Sequence, residues 1–124
     1  MPEESPEGLG ADPVVDPEDV KLVTLARATR ARNGAAEGAA VRDTTGRTYA
    51  ASSVPLLSLD LSALQAAVVI AVASGARGLE AAAVVSDEEQ VDDESREAVR
   101  DLAGRPIPIV VADPEGVPRA ILEA

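Results

Sequence analysis

The sequence predicts an α/β fold with three layers, α/β/α, in which helices cover both faces of a mixed five-stranded sheet. Segments with helical spacing of apolar residues alternate with short apolar and β-branched runs, in the order α-β-β-α-β-α-β-β. The first two strands form a hairpin, whereas strands separated by a helix favour right-handed parallel crossovers, and together they give a mixed sheet. The 124 residues are enough for one such domain with its own core.

The domain is expected to span residues 16–124, after an acidic tail over residues 1–15 that we predict to be disordered. The tail combines Pro and Gly with carboxylates and has few apolar residues to bury. Asp16 then suits the N-cap of a helix, and Gly34 suits a left-handed C-cap at its end. A turn over residues 43–46 next joins two strands. These strands are predicted over residues 38–42 and 48–53.

The second half of the chain supplies two helices and three strands. The helix predicted from Leu61 to Ser74, with Ser58 or Asp60 as N-cap, is apolar almost all round and should be buried on more than one side. Two prolines in the penultimate strand indicate an edge position or a strand start. The other predicted elements are a strand over 79–86, a helix over 92–102 and strands over 107–112 and 117–121.

The composition excludes several kinds of chemistry. The chain has no Cys and no His, which excludes imidazole bases, disulfides and the usual nitrogen and sulfur ligands of zinc. The net charge of −11 comes from residues 1–19, with seven carboxylates and no Lys or Arg, and from residues 87–97. The rest of the chain is about neutral. We therefore expect no nucleic-acid partner, and Tyr49 is the only ring on which a base could stack.

A membrane segment is not expected either. The longest apolar run, from Leu61 to Ala73, is shorter than the roughly 20 residues that span a bilayer, and Gln65 interrupts it. The acidic, Pro-rich start is not typical of a signal peptide, so we expect a cytoplasmic protein. Ten Arg against one Lys, with frequent Ala, is typical of a GC-rich bacterial genome.

Three segments, taken in order, resemble the small cytidine deaminases, and the resemblance runs from Val20 to Ile121. It implies the cytidine deaminase-like fold for nearly the whole ordered chain. The segments are Leu22 to Tyr49, with a helix and a hairpin; Ala66 to Gly75, similar to the end of the family's zinc-bearing helix; and Ala82 to Asp87, followed after a helix by Ile109 to Ala112 and Gly116.

The resemblance also identifies where the family's zinc site would lie. Zinc deaminases place Cys or His two residues before a catalytic Glu, and Pro-Cys-x-x-Cys at the start of the next helix. Counting back from the matched glycines, these positions hold Ser62, Leu64, Asp92 and Ser95. Ser hydroxyls stay protonated at neutral pH, and Leu64 cannot carry a proton. The resemblance thus implies a degenerate site, with no catalytic residue, no cofactor and no metal.

Two further features bear on a ligand. The family's substrate-holding Asn and Glu fall in the loop from Ser52 to Leu56, which has neither and is about two residues short. Ser62 or Ser95 would need an activating base to act as a nucleophile, and none is expected nearby. Acidic residues near the starts of two helices allow two interpretations: they bind Mg²⁺ or Ca²⁺, or they cap the helices and interact with the helix dipoles. Its candidate ligands are Asp60, Asp92, Asp93 and Glu94.

Three hypotheses of function follow. The first is an inactive cytidine deaminase-like protein that acts as an interaction or structural module. It would form a homodimer or homotetramer through the helix from Leu61 to Ala73. An additional, unidentified protein partner is possible under this hypothesis. The second is a zinc-dependent deaminase of cytidine or deoxycytidine. The third is a module that binds a nucleoside-like small ligand in the vacated pocket.

Overall fold

The computed structural model describes residues 13–124 and has the predicted mixed five-stranded sheet with helices on both faces. The prediction of a disordered tail falls largely outside this range and stays a prediction. In chain order the elements are α1 (Pro17–Asn33), β1 (Gly38–Asp43), β2 (Thr48–Ser52), β3 (Val54–Leu56), β4 (Leu59–Leu61), α2 (Ala63–Ala73), β5 (Leu79–Val85), α3 (Asp93–Ala103), β6 (Pro108–Ala112) and β7 (Pro118–Glu123).

The five strands of the main sheet lie in the order β2-β1-β5-β6-β7. β1 is antiparallel to both β2 and β5, β6 is parallel to β5, and β7 is antiparallel to β6. The one parallel pair in the described chain is joined through α3, as a βαβ crossover requires. Among residues 13–124, no helix combines the length and the apolar character that crossing a bilayer requires.

Two cores form because side chains alternate between the two faces of each strand. On one face, Leu22 and Ala26 of α1 pack with a cluster that includes Val110 of β6. On the other face, a larger cluster includes Leu64 of α2 and Val99 of α3. The apolar run of β5 is buried on both faces, as the sequence predicts.

The predicted caps of α1 and the predicted hairpin turn are confirmed. The carboxylate of Asp16 accepts the backbone N–H of Glu18, and Gly34 ends the helix in the left-handed region at φ 60°. The turn after β1 is held by Asp43, whose side chain is almost completely buried.

Asp43 is the centre of the most saturated hydrogen-bond network in the described chain. Its Oδ1 accepts the N–H and hydroxyl of Thr45 and the N–H of Arg47, and its Oδ2 accepts the hydroxyl of Tyr49 at 2.9 Å. Burial alone would raise the pKa of Asp43, but the hydrogen bonds outweigh it and lower the pKa from 3.8 to about 2. Tyr49 is therefore a strand residue tied to a turn.

The second helix differs from the prediction in its start and in its burial. A short hairpin of β3 and β4, which the sequence analysis did not identify, occupies the residues before it. α2 therefore begins at Ala63 with Ser62 as N-cap, and neither Ser58 nor Asp60 caps it. Val69 is 53% exposed and Val72 55%, so burial on more than one side is wrong within a single chain. The reason is that α2 lies beside the β2 edge of the sheet with no layer outside it.

The two alternatives for the prolines near β6 are also resolved. β6 lies between β5 and β7, so an edge position is wrong, whereas Pro108 does stand at the strand start. Ala124 N donates to Ile107 O, which makes that pair hydrogen-bonded and the next one, Pro108 with Glu123, not hydrogen-bonded. Pro108 consequently needs no N–H on this side of the strand.

Candidate functional site

The first turn of α2 sits at the end of the sheet where β5 and β6 finish. Ser62 Oγ accepts the backbone N–H of Gln65 at 3.1 Å, while Gln65 Oε1 accepts the backbone N–H of Ser62 at 2.9 Å. This reciprocal capping box satisfies two backbone donors at the helix start. It also fixes the position of the Ser62 hydroxyl at the amino end of the helix.

The first turn of α3 faces that of α2. Asp92 is the N-cap, and its Oδ1 accepts the backbone N–H of Ser95 at 2.7 Å. Asp93 and Glu94 occupy the first turn, where the helix dipole favours carboxylates. The side chain of Ser95 points inward, since the residue is only 2% exposed.

The two serines meet across this junction. Ser62 Oγ and Ser95 Oγ are 2.6 Å apart, so one hydroxyl donates to the other. Leu64, 2% exposed, closes the same space with apolar carbon. The structure thus brings together all four residues that the resemblance identifies, around a cavity of about 30 Å³. That space holds one or two water molecules and no larger group.

Two further residues of this cavity were missed by the sequence analysis. Glu37 Oε1 accepts the backbone N–H of Ala63 at 3.1 Å, adding a carboxylate to the amino end of α2. Ser86 Oγ, at the end of β5, accepts the N–H of Glu88 at 2.9 Å. Glu37 is itself held against Ser53 by a backbone hydrogen bond and a side-chain hydrogen bond. No local signal in the sequence reports such contacts between distant segments.

A wider cleft of about 490 Å³ opens outside the small cavity. The loop after β2 forms part of its wall through Ser53 and Pro55, in the stretch where the resemblance implies the family's substrate-holding residues. Arg30 approaches the rim, 3.8 Å from Asp87. Among the described residues the lining has no Lys or Arg and is strongly acidic, with Glu37, Asp60, Asp87, Glu88, Asp92 and Glu94.

These donors do not fit a metal ion. Ser62 and Ser95 hydroxyls are engaged with each other, and Asp92 Oδ1 is engaged with a backbone N–H. Within residues 13–124, no three His, Cys, Asp or Glu side chains converge so as to hold a metal. Asp60, Asp92, Asp93 and Glu94, the candidate Mg²⁺ or Ca²⁺ ligands, form no such group here, and that site stays an untested expectation. Protonated hydroxyls are also poor partners for zinc, which binds thiolates and imidazoles.

Comparison with known proteins agrees with this fold. A family model described as cytidine deaminase-like matches residues 15–116. Cytidine deaminase from Burkholderia pseudomallei is similar in structure, with a TM-score of 0.72 and 22% identity over 82% of this chain and 89% of that one. The enzyme from Mycobacterium leprae gives a TM-score of 0.65 and 22% identity, covering 87% of this chain and 94% of that one.

A third solved structure is also similar to this chain. Cytidine deaminase from Mycobacterium tuberculosis gives a TM-score of 0.64 and 25% identity, over 84% of this chain and 90% of that one. No curated protein matches the sequence. Because the family model spans most of the chain and the solved structures share its fold, this chain belongs to the cytidine deaminase-like family.

Proposed function

We propose that this protein is a catalytically inactive cytidine deaminase-like protein that acts as a homo-oligomeric interaction or structural module. The observation that carries the proposal is the contact between the Ser62 and Ser95 hydroxyls at 2.6 Å. Where the resemblance implies metal ligands, the chain has two neutral side chains that satisfy each other. Where it implies a proton-transferring carboxylate, the chain has the buried Leu64.

The chemistry of the cavity supports inactivity further. Hydrolytic deamination needs an activated water and a group that moves protons to the leaving amine. Glu37 has its carboxylate at the start of α2, but one of its oxygens already accepts the N–H of Ala63. Asp92 is likewise engaged as an N-cap. The residues of the small cavity are suited to hold two helix ends together.

Metal content and deamination test this part. Protein purified without added metal is expected to contain no stoichiometric zinc and to leave the ultraviolet absorbance of cytidine and deoxycytidine unchanged over hours. One zinc per chain, together with loss of cytidine absorbance, would show an active deaminase instead. A mock purification from the same expression host without this chain controls for contaminating deaminase activity.

The volume of the outer cleft favours a second candidate function, binding of a nucleoside-like small ligand. A cavity of about 490 Å³ lies in the range of small-molecule sites. Calorimetric titration with cytidine, uridine and deoxycytidine tests it. Heat of binding with a Kd in the micromolar range would support it, and no heat with any of the three would exclude it.

The outer face of α2 supports the oligomeric part of the proposal. Val69, Ile70 and Val72 are 53%, 40% and 55% exposed, and the neighbouring hairpin exposes Leu56, Leu57 and Leu59 as well. A groove of about 470 Å³ runs between this helix, the hairpin and β2. Large apolar side chains exposed on neighbouring elements are typical of an interface, and a second copy is the occupant that we propose.

Light scattering tests the interface. At micromolar concentration the native chain is expected to run as a dimer or tetramer, and Val69→Lys is expected to reduce its mass by half because the interface would bury an unpaired ammonium. Thr24→Lys, on the exposed face of α1, is the matched control and should keep the native mass. A monomeric native chain would contradict the proposal.

A further inference from the structure

β7 is the edge strand of the main sheet at the side opposite to β2, and no strand of residues 13–124 pairs with its outer side. Ala124 N donates to Ile107 O at 2.9 Å, so hydrogen-bonded pairs with β6 occur at every second residue from there to Ala120, where the register shifts and Arg119 has no partner on β6. It follows that the backbone groups of Ile121 and Glu123 point away from β6. Glu123 O accepts one hydrogen bond from Arg96 at 2.6 Å and keeps a second lone pair.

The exposed residues of β7 have opposite charges at equal sequence distances from a central apolar residue. Burial alternates along the strand, and Arg119, Ile121 and Glu123 are its exposed members. Ile121 is 42% exposed, although Val110 directly opposite on β6 is buried beneath α1. An apolar side chain therefore lies in the middle of the open strand, with a cation two residues before it and an anion two residues after it.

Charges on an edge strand usually prevent association, because an incoming strand rarely carries matching partners. Here the signs are opposite at equal distances from Ile121. Two copies of the strand, paired antiparallel about a two-fold axis at Ile121, would place Arg119 opposite Glu123 at both ends. Arg119 already has partners, Asp113 among them, and because a guanidinium has five donors it can meet a further carboxylate without losing them. A chain of net charge −11 needs such local complementarity to approach its own copy.

We propose that β7 pairs antiparallel with β7 of a second copy, about a two-fold axis at Ile121, and joins the two sheets into one continuous sheet. The occupant is a second copy because the self-complementary pattern of Arg119, Ile121 and Glu123 is guaranteed only on this chain. The contact is separate from the outer face of α2, which lies beside the other edge strand. Loss of either contact leaves the other in place.

Disulfide trapping tests the axis directly. The chain contains no Cys, so Ile121→Cys introduces a single thiol at an exposed position. Residues facing each other in a hydrogen-bonded pair have Cα atoms about 5.5 Å apart, which is within disulfide range. Mild oxidation is expected to convert most of this variant to a covalent dimer. Glu115→Cys, in the exposed turn before β7, is the control, and equal dimer formation by both variants would overturn the proposal.

Charge reversal tests the register and does not depend on a thiol. Arg119→Glu places two pairs of like charges across the axis, and so does Glu123→Arg. Each variant alone is expected to raise the dissociation constant of the contact about tenfold. An equimolar mixture restores opposite charges at both ends and should associate like the native chain in sedimentation velocity. A mixture that behaves as the sum of its components would overturn the proposal, and circular dichroism checks that each variant is folded.

Discussion

The two ends of the main sheet both contain polar side chains in buried surroundings, but in opposite states. At one end, the carboxylate of Asp43 is ionised and receives hydrogen bonds from Thr45, Arg47 and Tyr49. At the other end, Ser62 and Ser95 are neutral and share one hydrogen bond between their side chains. The first arrangement needs a full set of donors to hold a charge, and the second needs only the partner serine.

This difference indicates that the two ends contribute differently to the stability of the fold. At the Asp43 end the carboxylate stabilises a turn. At the serine end, where the resemblance implies the family's zinc site, the two side chains are hydroxyls, which stay neutral. We expect substitutions at Asp43 to have large effects on unfolding. Substitutions at the serines should have smaller effects, because each hydroxyl takes part in fewer hydrogen bonds than the Asp43 carboxylate.

The largest effect is expected for Asp43→Ala. It removes the acceptor of four hydrogen bonds and should lower the free energy of unfolding by about 3 kcal/mol. Urea denaturation followed by circular dichroism measures this. Thr45→Ala, which removes one donor from the same network, should cost about 1 kcal/mol. If Asp43→Ala lowered the free energy of unfolding no more than Thr45→Ala does, the Asp43 carboxylate would not be the centre of the network.

Acid should weaken the same end of the sheet. The pKa of Asp43 is lowered in the folded protein to about 2 from its ordinary 3.8. The stability that this carboxylate contributes is therefore complete above about pH 4 and is lost as the pH falls through about 2. Urea midpoints measured from pH 5 to pH 2 should decline less steeply for Asp43→Asn than for the native chain. Parallel slopes would exclude Asp43 as a source of the decline.

A smaller effect is expected for the serine pair. Ser62→Ala removes the N-cap acceptor for Gln65 N and should cost about 1 kcal/mol. Ser95→Ala leaves that cap in place and should cost less. A double-mutant cycle measures the coupling between the two hydroxyls, which we expect at about 0.5 to 1 kcal/mol. A coupling of zero would mean that the hydroxyls do not stabilise each other.

The smallest effect is expected for Glu37→Gln. The amide keeps an oxygen that can accept the N–H of Ala63 and removes only the charge near the amino end of α2. The loss should be about 0.5 kcal/mol, in line with a partly exposed charge at a helix end. Thermal unfolding at low and high salt measures it, and the difference between native and variant should shrink as salt screens the charge. A larger loss at high salt would contradict this electrostatic role.

Local signals explain which parts of this fold the sequence could predict. The caps at Asp16 and Gly34 and the turn at Asp43 depend on residues within a few positions, and all are as predicted. The β3–β4 hairpin escaped prediction because its strands have three residues each, too few for an alternating pattern. The exposure of the outer face of α2 could not be predicted either, because the sequence of an apolar helix does not show whether another element packs on that face.

The candidate site shows the same division. Ser62 and Ser95 are 33 residues apart, so only the family resemblance related them before the structure brought their hydroxyls together. Glu37 and Ala63 had no such link, and their contact was missed. Positions known by resemblance could be found from the sequence. Positions defined only by the packing of α2 and α3 against the sheet could not.

Rebuilding the site is the most direct test of the account that this cavity is a dismantled zinc site. The variant Ser62→Cys/Leu64→Glu/Asp92→Cys/Ser95→Cys supplies the three thiolates and the carboxylate that the resemblance implies. The measurement is zinc per chain, by elemental analysis after dialysis against a weak chelator. We predict one zinc for this variant and none for the native chain. One zinc in the native chain, or none in the rebuilt variant while circular dichroism shows it folded, would contradict the account.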